Sequence, residues 1–342
     1  MTTALTGPAA VRRDAGTPRL TRWILRLHRP ALYAWTCLVL ALAALLLALH
    51  GPLADAAAEG WRQYDACRST ARCGYDQAAI LRYKDFSTYG TLAVNALPFL
   101  VAAWAGAALT GRELESGTAG LAWTQGLSPV RWLALRLAVP AVAVAAGCAL
   151  LAWLHHAAWT AGRGRIDTAK DWYDRTTFHA GGPALLALAL AGLAAGTLAG
   201  LLLRRTLPAL IAGTLVTAGL RGATELALPH LWPPVTRVSG MDQGFVGSGL
   251  VVDQGMVTRS GAHVPVPPCG SSAQCEAAYA DLTGHWNSYH PYAHFWPLQL
   301  TTGALLLAAA GLLALGCFLA LRRLTGPAGR APKTTATRKA AV

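Results

Sequence analysis

Charge is what this chain has least of. Asp, Glu, Lys and Arg make up 13% of its 342 residues, against about 25% in a soluble globular domain. Lysine is down to four positions, Lys84, Lys170, Lys333 and Lys339. None of them stands in the Gly-x-x-x-x-Gly-Lys-Ser/Thr setting that cradles nucleotide phosphates, so this chain does not hydrolyse ATP by that route. No His-Glu-x-x-His is present. Gly247-Ser248-Gly249 lacks the spacing of a nucleophile elbow, which leaves Ser248 as a turn residue. Dense basic clusters on a polar background are missing too, although the net charge is +13, so a nucleic-acid partner is not expected. A soluble enzyme, a DNA-binding domain and a disordered chain are all poor fits.

What the sequence has is apolar length. Hydrophobic residues make up 54%, and a helix needs about 20 of them to cross about 30 Å of hydrocarbon. Six runs qualify: Ala31–Leu49, Thr88–Leu109, Leu133–Leu154, Pro183–Leu203, Leu207–Leu228 and Leu298–Leu321. The first is too long for the core of a cleavable signal. The expectation is an all-α, multi-pass protein whose bundle spans 31–321. It has a disordered leader over 1–18, a large exterior loop over 229–297 and a disordered basic tail over 322–342. Between leader and bundle, residues 19–30 place Arg22, Arg26 and Arg29 on one helical face and Trp23, Ile24 and Leu27 opposite. That pattern reads as an amphipathic helix lying in the interface, stopped by Pro30.

With the N-terminus inside, the segments 1–30, 110–136, 204–205 and 322–342 hold 17 basic and 3 acidic residues. The exterior segments hold 12 basic and 13 acidic ones. The split is +14 against −1, so both termini are expected in the cytoplasm of a cell whose plasma membrane carries the protein. Cys37, Cys148 and Cys317 fall within spans. Cys67/Cys73 and Cys269/Cys275 fall in the loops read as exterior, where disulfides persist. Local pairing is favoured over free thiols there, and cross-loop connectivity stays open.

Several smaller signals sit on this frame. Gly192, Gly196 and Gly200 form a doubled GxxxG, a smooth groove for close packing of another helix, from this chain or a second copy. Arg221 and Glu225, four apart in the fifth span, share a face and read as a structural pair near its outer end, with a substrate-path role as the lesser reading. Asn95 and Gln299 read as interhelical hydrogen-bonding groups. Val251–Arg259 and Ala262–Val266 read as a β-hairpin about Ser260-Gly261. In GHWNSYHPYAHFW, Trp286, Tyr289, Tyr292, Phe295 and Trp296 read as an aromatic belt before the sixth span. His285, His290 and His294 in the same stretch lack a Cys or acid to complete a metal set, and Pro291 breaks the helix that would align them. No metal or cofactor is expected.

The stretch between the second and third spans, TGRELESGTAGLAWTQGLSPVRWLALR, is too structured for a connector. Glu113 and Glu115 are two of the three acids on the inner side. Gly117 and Gly120 punctuate a short amphipathic segment, and Ser128-Pro129 is a helix start, Ser as cap and Pro at the first helical position. Such a surface suits docking another protein. ELESGT followed by LSPVRW resembles the corresponding loop of type-2 ABC transporter permeases, and YHPYAHFWPLQ is similar to an entrance motif in actinobacterial members. The resemblance extends over essentially the whole chain. It departs at Leu114 and Ser116 and at Leu135-Arg136, where members carry further charge and Gly-Lys.

It implies a coupling helix that sits in a cleft of a separate ATPase subunit, with Glu113, Glu115, Gly117, Thr118, Thr124, Gln125, Pro129 and Arg131 forming or shaping that contact. It implies as well a homodimer or pairing with a second permease, and export of an apolar or amphiphilic compound. Two other readings stand beside it. One is a membrane enzyme with an exterior site built from His155, His179, His285, His290 or His294. The other is a non-transporting sensor or scaffold.

Overall fold

The computed structural model describes residues 29–67, 74–124 and 128–326. The expectations for 1–18, for 19–28 of the amphipathic segment, for Cys73 and Gln125, and for the tail beyond Gly326 lie outside the described residues. Six helical stretches are long and apolar enough to cross a membrane: Arg29–Ala66, Gln77–Glu115, Pro129–Gly162, Pro183–Leu203, Thr206–His230 and Tyr292–Thr325. They begin with α1 (Arg29–His50) and α2 (Pro52–Ala66), separated by Gly51-Pro52. Pro52 has no N–H to give, so it starts the second segment without losing a bond.

The second span is α3 (Gln77–Trp104), which continues as a π-helical stretch, Ala105–Gly111, into the short α4 (Arg112–Glu115). It starts eleven residues before the apolar run does. Asp76 caps it by accepting from the Ala79 N–H, and Ile80 and Tyr83 are buried, Ile80 beside Gly60 of α2. After α5 (Thr118–Thr124), α6 (Pro129–Gly162) forms the third span, with Ser128 accepting from the Arg131 N–H as its cap. A short α7 (Arg175–Ala180) precedes α8 (Pro183–Leu203) and α9 (Thr206–Ala227). The last span is α11 (Phe295–Thr325).

The fourth span, α8, is the axis of the bundle. Its sequence is apolar on every side, as a helix surrounded by protein must be, and 78% of its membrane window is buried, against 17–50% for the others. It packs against α3, α6, α9 and α11. The glycine groove makes the closest approaches. A Cβ on Gly192 would come within 2.7 Å of the Pro98 carbonyl oxygen, and one on Gly196 within 2.8 Å of the Gly106 nitrogen. Gly213 of α9 meets Gly196 backbone to backbone. The partners of the GxxxG face therefore come from the same chain. Where α3 widens into its π-helical stretch, the Thr110 hydroxyl donates to the Thr197 carbonyl at 3.2 Å.

One end of the bundle is not helical, which corrects the all-α expectation. A four-stranded antiparallel sheet is built from β1 (Val235–Gly240), β2 (Leu250–Thr258), β3 (His263–Val264) and β4 (Leu282–His290), in the order β1-β4-β2-β3. β2 and β3 pair across the Ser260-Gly261 turn. The stretch read as the start of an aromatic belt is instead strand β4, which pairs with both β1 and β2. Tyr289 lies opposite Val235 on one side and Val251 on the other. Between β3 and β4 lies α10 (Ser272–Tyr279), next to a disulfide joining Cys269 and Cys275. Trp172, Phe178, Leu228, Phe295 and Leu298 form a buried, largely aromatic cluster between this sheet and the helices.

Candidate functional site

Chemistry gathers at the two ends of the bundle. At the end away from the sheet, the turn Ser116-Gly117 joins α4 to α5. Gly117 has φ +74°, a conformation that side chains with a Cβ rarely adopt. The hydroxyls of Ser116 and Thr118 lie 3.0 Å apart, and both donate toward the Glu113 carbonyl. Behind the turn, Ala119 is buried, and Trp123 meets Trp132 of α6 edge-on at 5.7 Å. These belong to a cluster with Leu201 of α8 and Cys317 and Leu321 of α11, so α5 is seated on the ends of three spans.

Both acids of this loop are bonded within the chain, Glu113 half-buried and Glu115 exposed. Glu113 pairs with Arg136 of α6 at 2.5 Å. Arg136 is only 3% exposed, donates to the Leu109 carbonyl at 2.8 Å and stacks on the Trp132 ring at 4.8 Å. The bond to Leu109 falls in the π-helical stretch, whose altered pairing presents main-chain carbonyls to such donors. Glu115 accepts from the Thr206 N–H at 2.8 Å and from its hydroxyl at 2.5 Å. α9 has no side-chain cap from its own Arg205, and Glu115 supplies one across the bundle. Ser116, Gly117, Thr118 and Arg131 are exposed beside this, and Pro129 is half-buried. The Thr124 side chain and all of Gln125 lie outside what is described. Both acids of the loop are thus bonded within the chain, and beside the exposed Glu115 the loop presents hydroxyls, a glycine and an arginine. Arg136 is the residue that sequence reasoning misses. It is a charge inside an apolar run, and such a group needs a partner nearby.

Nearer the sheet, a polar cluster joins α3, α6, α7 and α9. Arg221 pairs with Glu225 at 2.9 Å and donates to the Asn95 side-chain oxygen. The Asn95 amide donates to the carbonyls of Thr91 (2.8 Å) and Thr176 (2.9 Å). The Thr91 hydroxyl meets His155 Nε2 at 3.0 Å, and His179 Nε2 lies 3.6 Å from the Glu225 carboxylate. Asn95, His155 and His179 are all under a tenth exposed. Burial, with the Arg221 charge adding to it, pushes the His179 pKa down to about 3, so it meets Glu225 as a neutral imidazole. The pair read from spacing alone is the centre of a network reaching three spans. Gln299 likewise bridges elements, accepting from the Ala184 N–H and donating to the Phe178 carbonyl.

The five histidines that an exterior enzyme site would need are spread out. His155 and His179 belong to the polar cluster. His285 packs on Phe245, and His290 and His294 bond each other at 3.1 Å. Among the described residues no three His, Cys, Asp or Glu side chains gather as a metal-binding group.

A family model described as ABC-2 membrane transporter related matches residues 36–228. That range is more than half of the chain and holds the α4–α5 loop, the glycine groove and the Asn95–Arg221–Glu225 cluster. None of the curated proteins and none of the solved structures compared with the chain matches it.

Proposed function

The chain belongs to the ABC-2 membrane transporter related family, and from that membership we propose that it is the membrane subunit of an exporter of apolar or amphiphilic compounds, driven by a separate ATPase that docks on the 110–131 loop. The observation that carries the coupling role is the double tie of that loop. One acid, Glu113, is bound to the third span at Arg136, and the next, Glu115, to the start of the fifth span at Thr206. A push on the exposed Gly117-Thr118 turn is then passed to two spans at once. The physical requirement is an element with two arrangements, biased by nucleotide in the ATPase. The Arg221–Asn95 contact carries a shift of α9 on to α3 toward the opposite end. Pairing with a second permease, as a homodimer or heterodimer, completes the path. The basic loop end is read as cytoplasmic and the disulfide-bearing sheet as exterior, in the plasma membrane.

The test is co-expression with a candidate ABC ATPase. Thr118→Arg with Arg131→Glu is expected to abolish co-purification. Glu115→Ala is expected to leave association intact while ATP hydrolysis continues without transport. Unchanged association and unchanged transport in both variants would overturn the coupling assignment.

A further inference from the structure

The faces of α1, α3 and α6 leave a slot of about 220 Å³ in the half of the bundle nearest the α4–α5 loop. Trp35 and Leu38 of α1, Leu100 and Trp104 of α3, and Pro140 and Val144 of α6 line it. Leu100 is 54% exposed, so the slot opens sideways to the lipid rather than into the bundle. A second hollow of about 560 Å³ shares Ala31 and Trp104 with it and runs to the loop, where Arg112, Glu113, Ser116 and Thr118 line it. The two hollows adjoin at Ala31 and Trp104, the first apolar along the spans and the second polar toward the loop.

The second hollow carries an uncompensated positive charge. Glu113 is taken by Arg136, whereas among the described residues no carboxylate pairs with the exposed Arg112 guanidinium. The two hydroxyls beside it already donate to the Glu113 carbonyl, so the Arg112 guanidinium is the donor left for an oxyanion. Pro30 also borders the hollow, and residues 19–28 before it contain Arg19, Arg22 and Arg26 and no acid.

We propose that these adjoining hollows hold an anionic phospholipid of the adjacent leaflet, its phosphate on Arg112 and one acyl chain in the slot between Trp35, Leu100 and Val144. Acyl chain against apolar helix gives little selectivity in a bilayer, because lipid tails are as apolar as the slot. Selectivity comes from the headgroup, through a basic residue at the interface between spans. A second copy of the chain fits less well. An apolar helix face laid over the slot leaves Arg112 without its anion. The transported compound fits less well too, since the slot lies on the α1, α3 and α6 faces and shares no residue with the Asn95–Arg221–Glu225 cluster. The proposal needs only that these helices span a bilayer, and it stands or falls independently of the ATPase coupling.

The test is native mass spectrometry of the full chain in detergent, titrated with dioleoyl phosphatidylglycerol or dioleoyl phosphatidylcholine. Retention of the anionic lipid is expected to exceed the zwitterionic one by about fivefold, the effect of one interfacial arginine. Arg112→Gln should bring the ratio to one, and Arg112→Lys should keep most of it. Ala34→Phe, which fills the slot, should lower retention of both lipids. Gel-filtration profiles matching the parent show that each variant is folded. Equal retention of the two lipids by the parent, or an unchanged ratio in Arg112→Gln, would overturn the proposal. So would a co-purified non-phospholipid amphiphile that the parent holds and Ala34→Phe loses, because the slot would then belong to the cargo.

Discussion

Arg136 shows how a single charge is accommodated inside an apolar run. Its guanidinium is reached by a carboxylate, a main-chain carbonyl and a tryptophan face at once. Taking away one partner of a buried pair leaves the other without compensation, whereas replacing both by apolar groups of similar size is often close to neutral. Glu113→Ala is therefore expected to destabilise the protein by about 3 kcal/mol. Glu113→Leu combined with Arg136→Met should recover most of that loss. Thermal unfolding in detergent of the single and double variants measures both, and a double variant worse than Glu113→Ala would refute the reasoning.

His179 makes a prediction in pH. Its folded pKa is about 3 against an ordinary 6.5. The unfolded chain therefore takes up the proton first, and the fold keeps its full advantage above about pH 6.5 and loses it as pH falls toward 3. The melting temperature should drop between pH 7.5 and 5, and drop less in His179→Asn, which keeps a polar group beside Glu225 and Arg221 but cannot titrate. Equal drops in the two proteins would mean that His179 is solvated and protonated in the fold.

At the level of elements, α8 works because it is thin. Gly196 lets the backbones of α3 and α9 approach on two sides, with Gly106 and Gly213 as the facing residues. A leucine there has no flexible neighbour to displace. Gly196→Leu should cost about 3 kcal/mol or prevent assembly of the bundle. At Gly311 of α11, by contrast, a Cβ would have no neighbour within 4 Å, so Gly311→Ala should be neutral or stabilise by up to about 1 kcal/mol through helix propensity. Heat-induced loss of the monodisperse peak separates the two variants.

The same elements show what is legible in the sequence. Spans are local features, set by the length of an apolar run, and all six can be read from composition alone. The glycine groove is local too, and only the helices that fill it need the structure. Strand β4 is different. Trp286 and Tyr289 suit a membrane-interface belt as well as a strand, and what decides between them is pairing of Tyr289 with Val235, 54 residues away. The Glu113–Arg136 and Glu115–Thr206 contacts are likewise made across the bundle, so the acids can be singled out by composition but not assigned to their partners. α2 reads as exterior loop because Asp55, Glu59, Arg62 and Asp65 dilute its apolar face, although Ala54, Ala57 and Ala58 are buried.

For the whole molecule, the distribution of charge and cysteine makes one joint statement about sidedness. An even number of crossings returns the chain to the side it started from. The basic excess lies at the α4–α5 loop, the Arg204-Arg205 turn and the two ends, while the acids and the Cys269–Cys275 disulfide lie with the sheet. Positively charged loops stay on the cytoplasmic side, and disulfides persist on the other. Two exposed positions, one at each end of the bundle, test this. Val238 on β1 is 60% exposed, and Thr118 stands at the opposite end. In a background where Cys37, Cys67 and Cys73 are serine, which leaves the buried Cys148 and Cys317 and the Cys269–Cys275 disulfide, Val238→Cys should react with a membrane-impermeant maleimide in intact cells. Thr118→Cys should react only after permeabilisation. The reverse pattern would put the α4–α5 loop outside, where no cytosolic ATPase could reach Gly117 and Thr118, and the coupling role of Glu113 and Glu115 would fall with it.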